Sequence, residues 1–201
     1  MLNRSLFDIV PSPAAFEPAC KPESAPECYG ITLTTARGRR LRVPVLGPGD
    51  TPLLLELIAR LSDQTVRRRF FQPLNSAAAI EREALRVAHG DPLRQVALVA
   101  LADEPGPPHA IALAELVADP SAPTAAEVAL LVRDDYQRVG VGSLLTRLLV
   151  RVARQRGIRT MRANALADNT PILAFIRSFG LSYTADISRG ELRLVIQLPV
   201  R

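Results

Sequence analysis

The stretch with the clearest chemical potential is QRVGVGS, residues 137–143. Its glycines, Gly140 and Gly142, let backbone approach a ligand closely and adopt positive φ. An apolar run ends just before it at Val132, and a Leu-rich run follows. If a helix opens here, its first N–H groups have no internal partner and point outward. With the helix dipole they make an anion site suited to a pyrophosphate. Arg138 adds a positive charge and Ser143 a hydroxyl. Two other phosphate loops fail on spacing. A dinucleotide fold needs a third glycine and an early place in a βαβ unit. A P-loop needs a lysine before its Ser/Thr, and this chain has none there.

The elements that must position this loop follow from periodicity. Residues 1–29 carry five prolines and little pattern, and are read as a tail; the domain is expected over 30–201. ITLTTARGRRLRVPVL alternates on both sides of Gly38, as a hairpin does. Asp50 is expected to cap a helix with Pro52 in its first turn and Leu54, Leu57, Ile58 and Leu61 on one face. A second helix is expected over 76–88, capped by Ser76. Arg67, Arg68 and Arg69 then fall in the connection between the two, with Phe70 and Phe71 packed inward. Three strands of a meander follow at 95–103, 110–119 and 126–132, separated by EPGPPH and by 120–123.

The run from Val141 is strongly helical in spacing, with Leu144, Leu145, Leu148, Leu149 and Val152 on one side and Arg147, Arg151 and Arg154 on the other. Gly157 ends it. A strand at 158–166, a short helix at 171–179 and a final alternating strand at 191–200 complete the order. The fold class is therefore α+β, a mixed sheet with helices on both faces.

Q-x-x-G-x-G after a strand and at the head of a Leu-rich helix resembles the acetyl-CoA loop of the GNAT N-acetyltransferases. NTPILAFIRSFG, residues 169–180, is similar to that family's later segment. LSDQTVRRRFF (61–71), VALVA (96–100) and AEVALLVRDDYQ (126–137) resemble the acetyltransferase domain of bacterial Pat-type protein-lysine acetyltransferases. The resemblance implies the GNAT fold, with a central, mostly antiparallel twisted sheet. It implies acetyl-CoA as acyl donor, with no metal, and an amine acceptor that is a protein lysine or a small molecule. It also implies site residues. Backbone groups of Leu130, Leu131 and Val132 would hold the pantetheine. Gln137, Arg138, Val139, Gly140, Val141, Gly142 and Ser143 would hold the pyrophosphate, and Asn169 would lie near the thiol.

A protonated amine with a pKa of about 10.4 must lose a proton before it attacks. Glu127 is the expected base: it begins an apolar strand beside the cofactor and matches the glutamate that Pat-type enzymes use. Burial among Val128, Ala129 and Leu130 would raise its pKa. Glu115 on the neighbouring strand is the rival. The family's general-acid tyrosine has no counterpart, since Ile176 takes that position; Tyr136 and Tyr183 are the candidate substitutes, each expected to be structural. A thiolate leaving group, with thiol pKa about 8.5, can depart without an acid.

Composition limits the alternatives. The net charge is +5, but Lys21 is the only lysine and the arginines are scattered, apart from Arg37, Arg39 and Arg40 around Gly38 and the run Arg67, Arg68 and Arg69. Nucleic-acid binding would want a basic stripe interleaved with aromatics. Cys20 and Cys28 are too few for a disulfide scaffold, and no Cys/His spacing suits zinc. No apolar run nears the ~20 residues of a membrane span, so a cytoplasmic protein is expected. Exposed sheet edges favour a homodimer. The rival function is a non-catalytic acyl-CoA-binding or regulatory module, for which the missing tyrosine argues.

Overall fold

The computed structural model describes residues 31–74 and 76–199. The tail expected over 1–29, with Lys21 and both cysteines, lies outside the described residues. The first two strands, β1 (Ile31–Thr34) and β2 (Arg40–Val43), form the expected hairpin, turned at Gly38 with φ +81°. Three helices follow: α1 (Thr51–Ala59), α2 (Asp63–Phe70) and α3 (Ala77–Ala88). Then come β3 (Gln95–Ala102), β4 (Ala110–Ala118), β5 (Ala125–Val132), α4 (Val141–Gln155), β6 (Thr160–Leu166), α5 (Pro171–Arg177), β7 (Tyr183–Ser188) and β8 (Glu191–Gln197).

One eight-stranded sheet runs in the order β1-β2-β3-β4-β5-β6-β8-β7. Every neighbouring pair is antiparallel except β5 with β6. β3 and β4 sit centrally and are covered on both faces, which is why they read as nearly continuous apolar runs, broken within β4 only by Glu115. One face packs on α4 through Leu98, Ala100, Ala114 and Leu116. The other packs on α1 and α3 through Ala97, Val99, Leu101 and Leu113. In α4, Val141, Leu145, Leu148, Leu149 and Ala153 are buried at helical spacing. Each such leucine contributes about 2 kcal/mol over its exposed state.

Three expectations need correction. The region before β3 holds three helices rather than two. α2 is mostly polar, with Val66 and Phe70 its only apolar residues, too few to make a stripe that betrays it. Its cap is Ser62, whose hydroxyl accepts from the Thr65 N–H at 3.2 Å. Asp50 precedes α1 but does not cap it; its carboxylate accepts from Gly47 N–H at 2.9 Å and closes a 3-10 turn instead. Phe71 is not packed inward: it is exposed, with φ +60° at the C-cap of α2. Ser76 does cap α3, accepting from Ala79 N–H at 3.2 Å.

Candidate functional site

The parallel contact between β5 and β6 is short. It pairs Ala125 with Thr160, Ala126 with Met161 and Glu127 with Arg162, and then stops. β5 continues to Val132 along β4, while β6 continues to Leu166 along β8. A wedge therefore opens between the two strands beyond Glu127.

The ladder decides which backbone groups face the wedge. Arg133 N–H donates to Ile111 O at 2.9 Å. In an antiparallel ladder such pairs recur every second residue, so Ala129 and Leu131 spend their polar groups on β4. Val128, Leu130 and Val132 turn theirs toward the wedge. Leu131 is therefore withdrawn as a backbone ligand; its side chain is 2% exposed against the α1 and α3 cluster. The Val132 carbonyl receives the Gln137 side-chain amide at 3.1 Å. That amide also reaches Thr65 Oγ1 at 3.3 Å. Gln137 thus braces the loop with its side chain.

The loop itself has the backbone that its glycines suggest. Gly140 is the N-cap of α4 with φ +94°, and Arg138 also takes positive φ, at +60°. No side chain caps the helix, so the N–H groups at Val141, Gly142 and Ser143 stay available. A Cβ on Gly142 would meet Leu130 Cδ2 at 3.3 Å, Val132 Cγ2 at 3.6 Å and Phe175 Cε2 at 3.7 Å. The first turn of α4, two of the wedge-facing residues of β5 and the α5 aromatic thus converge. Val139 is half-buried beside them. Asn169 lies between β6 and α5, half-buried, its N–H donating to Leu166 O at 3.0 Å. Bare helix N–H groups at one end and wedge-facing strand N–H groups of Leu130 and Val132, without partners among the described residues, suit a long ligand with a diphosphate.

The carboxylates fall on the opposite face of the sheet. Glu127 shares the face of Glu115, at the mouth of the wedge. It is exposed, and among the described residues its carboxylate has neither hydrogen bond nor ion pair. The expected burial fails because Val128 and Leu130 point to the α4 face, and Glu127 does not. Glu115 is 2% exposed, but its oxygens are already taken. Arg69 of α2 donates at 2.5 Å and Arg86 of α3 at 3.0 and 3.2 Å. A carboxylate shared by two guanidiniums is a staple between helices and sheet, so the rival base is set aside. Arg67 likewise pairs with Asp168 at 3.2 Å.

Neither phenol reaches the wedge freely. Tyr136 is 8% exposed and donates to Glu104 at 2.9 Å. Burial first, then the Glu104 carboxylate, raise its pKa. Tyr183 Oη accepts from Arg177 Nε at 2.9 Å. Ile176 is buried in the core.

Comparison with known proteins fits this geometry. The family described as Acetyltransferase (GNAT) matches residues 64–181. The chain belongs to that family. GNAT domains take acyl-CoA, such as acetyl-CoA, as co-substrate. The chain is similar to the GNAT domain of S. lividans PAT, with 28% identity over 87% of this chain and 100% of that one, at TM-score 0.73. It is also similar to a cAMP-binding acyltransferase from Mycobacterium smegmatis, with 25% identity and TM-score 0.56. There the match covers 85% of this chain but only 47% of that one, so this chain spans about half its length. An acetyltransferase from Thermus thermophilus shares the fold, with 22% identity, 82% and 97% coverage, and TM-score 0.60.

Proposed function

We propose that this GNAT chain transfers an acetyl group from acetyl-CoA to a primary amine, on a protein lysine or a small molecule, by direct attack on the thioester. The observation that carries the reading is the wedge. It opens immediately after Glu127, so an acyl arm held along Leu130 and Val132 presents its carbonyl beside the strand's one carboxylate, which has no partner among the described residues. The α4 N-terminus, with Arg138, Gly140, Val141, Gly142 and Ser143, takes the pyrophosphate. The wedge-facing N–H of Val132 or Leu130 polarises the thioester carbonyl, as an oxyanion donor does. Glu127 takes the first ammonium proton, the amine nitrogen attacks to form the C–N bond, the C–S bond breaks to release the thiolate, and the second nitrogen proton passes to that thiolate, leaving the neutral amide and the CoA thiol. Exposure lets Glu127 pass its proton to solvent.

The test is a CoA-release screen over lysine peptides, polyamines, amino acids and aminoglycosides, run with acetyl-CoA and longer acyl-CoAs. Amine-dependent CoA release is expected. Tight acetyl-CoA binding without release for any amine would favour the non-catalytic module.

A further inference from the structure

Glu127 and Arg162 are direct partners across the parallel β5–β6 pair, and so lie on one face of the sheet. An arginine so placed would ordinarily claim the carboxylate. It does not: Arg162 Nη1 is 2.5 Å from Asp119 Oδ2. Asp119 follows β4 on the same face and is itself fixed. Its Oδ1 accepts from Ser121 N–H at 2.8 Å and from Ser121 Oγ at 2.6 Å, leaving Oδ2 for the guanidinium. The Ser121 hydroxyl, then its N–H, then Arg162 hold the Asp119 carboxyl at about 2, well below its ordinary value. Asp119 therefore stays charged through the working range of an acyltransferase.

Apart from Arg68, the other charges brought to this face are paired as well. From β4 comes Glu115, which occupies Arg69 of α2 and Arg86 of α3. α2 also brings Arg67, paired with Asp168, and the half-buried Arg68. Arg162 is the cation set directly across from Glu127 by strand register.

We propose that Asp119 is a positioning residue that keeps Glu127 available as a base by holding Arg162 away from it. The inference rests on Glu127 acting as the base. An arginine on Glu127 would stabilise the carboxylate, lower its basicity and block the approaching ammonium. Asp119 removes that partner without burying the base, which matches a glutamate that is exposed and has no side-chain partner among the described residues.

Asp119→Asn is a clean probe, because the amide oxygen can still accept from Ser121 while the amide nitrogen now faces Arg162. With acetyl-CoA and whichever amine of the screening panel releases CoA fastest, kcat/KM at pH 7 should fall about threefold to tenfold, and the acidic limb of the pH profile should move to lower pH with a lower plateau. Asp119→Asn with Arg162→Gln should recover to within about twofold of the parent. In a Glu127→Gln background, Asp119→Asn should change nothing further. A parental pH profile in Asp119→Asn, or a double variant as slow as the single, would overturn the proposal. So would an equal loss in the Glu127→Gln background, which would mark a structural role. Unimpaired turnover in Glu127→Gln alone would instead refute the base assignment beneath it.

Discussion

Asp134 accepts two hydrogen bonds from Ser62, one from its backbone N–H at 3.0 Å and one from its hydroxyl at 2.8 Å. Ser62 is the cap of α2, and Asp134 lies two residues beyond β5. The Thr65 hydroxyl adds a third bond to Asp134 at 2.7 Å. One carboxylate therefore ties the start of α2 to the end of the strand that borders the wedge.

A pH dependence of stability follows from this tie. Burial alone would raise the Asp134 pKa, but the bonds from Ser62 and Thr65 outweigh it and leave the pKa lowered. A depressed carboxyl stabilises the fold above its unfolded pKa, about 3.9, and the gain is lost as pH falls through the folded value. Asp134→Asn should therefore destabilise at pH 7 by about 1 kcal/mol, discounted for solvent exposure, and the difference from the parent should narrow as pH falls below the unfolded pKa of about 3.9. Thermal melts from pH 7 to pH 2 check this. A constant gap across the range would assign the effect to packing.

Gly140 supports a second prediction. Its φ of +94° is costly for any residue with a Cβ, and an added Cβ would stand 3.2 Å from Thr35 Cβ in the β1–β2 turn. Gly140→Ala should cost about 1–2 kcal/mol and weaken acetyl-CoA binding at least tenfold by tilting the first turn of α4. Calorimetric titration with CoA reads the binding. A melting loss with parental affinity would show that the loop does not hold the diphosphate.

These features were unequally legible in the sequence. The glycine loop and α4 were plain because Gly140, Gly142 and the 3.6-residue leucine period are local signals. α2 was hidden because DQTVRRRF carries no apolar stripe; its signals were Ser62 as a cap, Asp63 in the first turn and arginines in the last, matching the dipole. The exposure of Glu127 was illegible from its apolar neighbours, since alternation sends Val128 and Leu130 to the other face. The status of Leu131 needed the register with Leu113. The Asp119–Arg162 pair joins residues 43 positions apart, which only the strand order brings together.

Glu115 should behave as a staple. Glu115→Ala would leave Arg69, whose side chain is 18% exposed, without its acid, while Arg86 keeps Glu83. Breaking a fully buried pair costs about 3–5 kcal/mol, and the partial exposure of both arginines brings the expected loss to about 2 kcal/mol. For a chain of this size that is a melting decrease of about 4–8 °C. Differential scanning calorimetry checks it. A loss under about 1 °C would mean the arginines are solvated without Glu115.

Glu127→Gln is the decisive substitution for the chemistry. Glutamine keeps the size but cannot take a proton. Because Glu127 is exposed and has no partner among the described residues, the change should leave the melting temperature and acetyl-CoA affinity near parental values. General-base catalysis is worth about 10²–10⁴-fold, so kcat/KM near pH 7 should fall by about 10²-fold, the lower end suiting an exposed group. The deficit should also depend on pH in a defined direction. As pH rises toward the acceptor amine's pKa, about 10.4, more amine arrives already deprotonated and the base matters less. The ratio of parental to variant rate should thus shrink steadily from pH 7 to pH 10. A ratio that is constant over that range would mean Glu127 orients the acceptor rather than taking its proton, and a ratio of one throughout would remove it from the reaction.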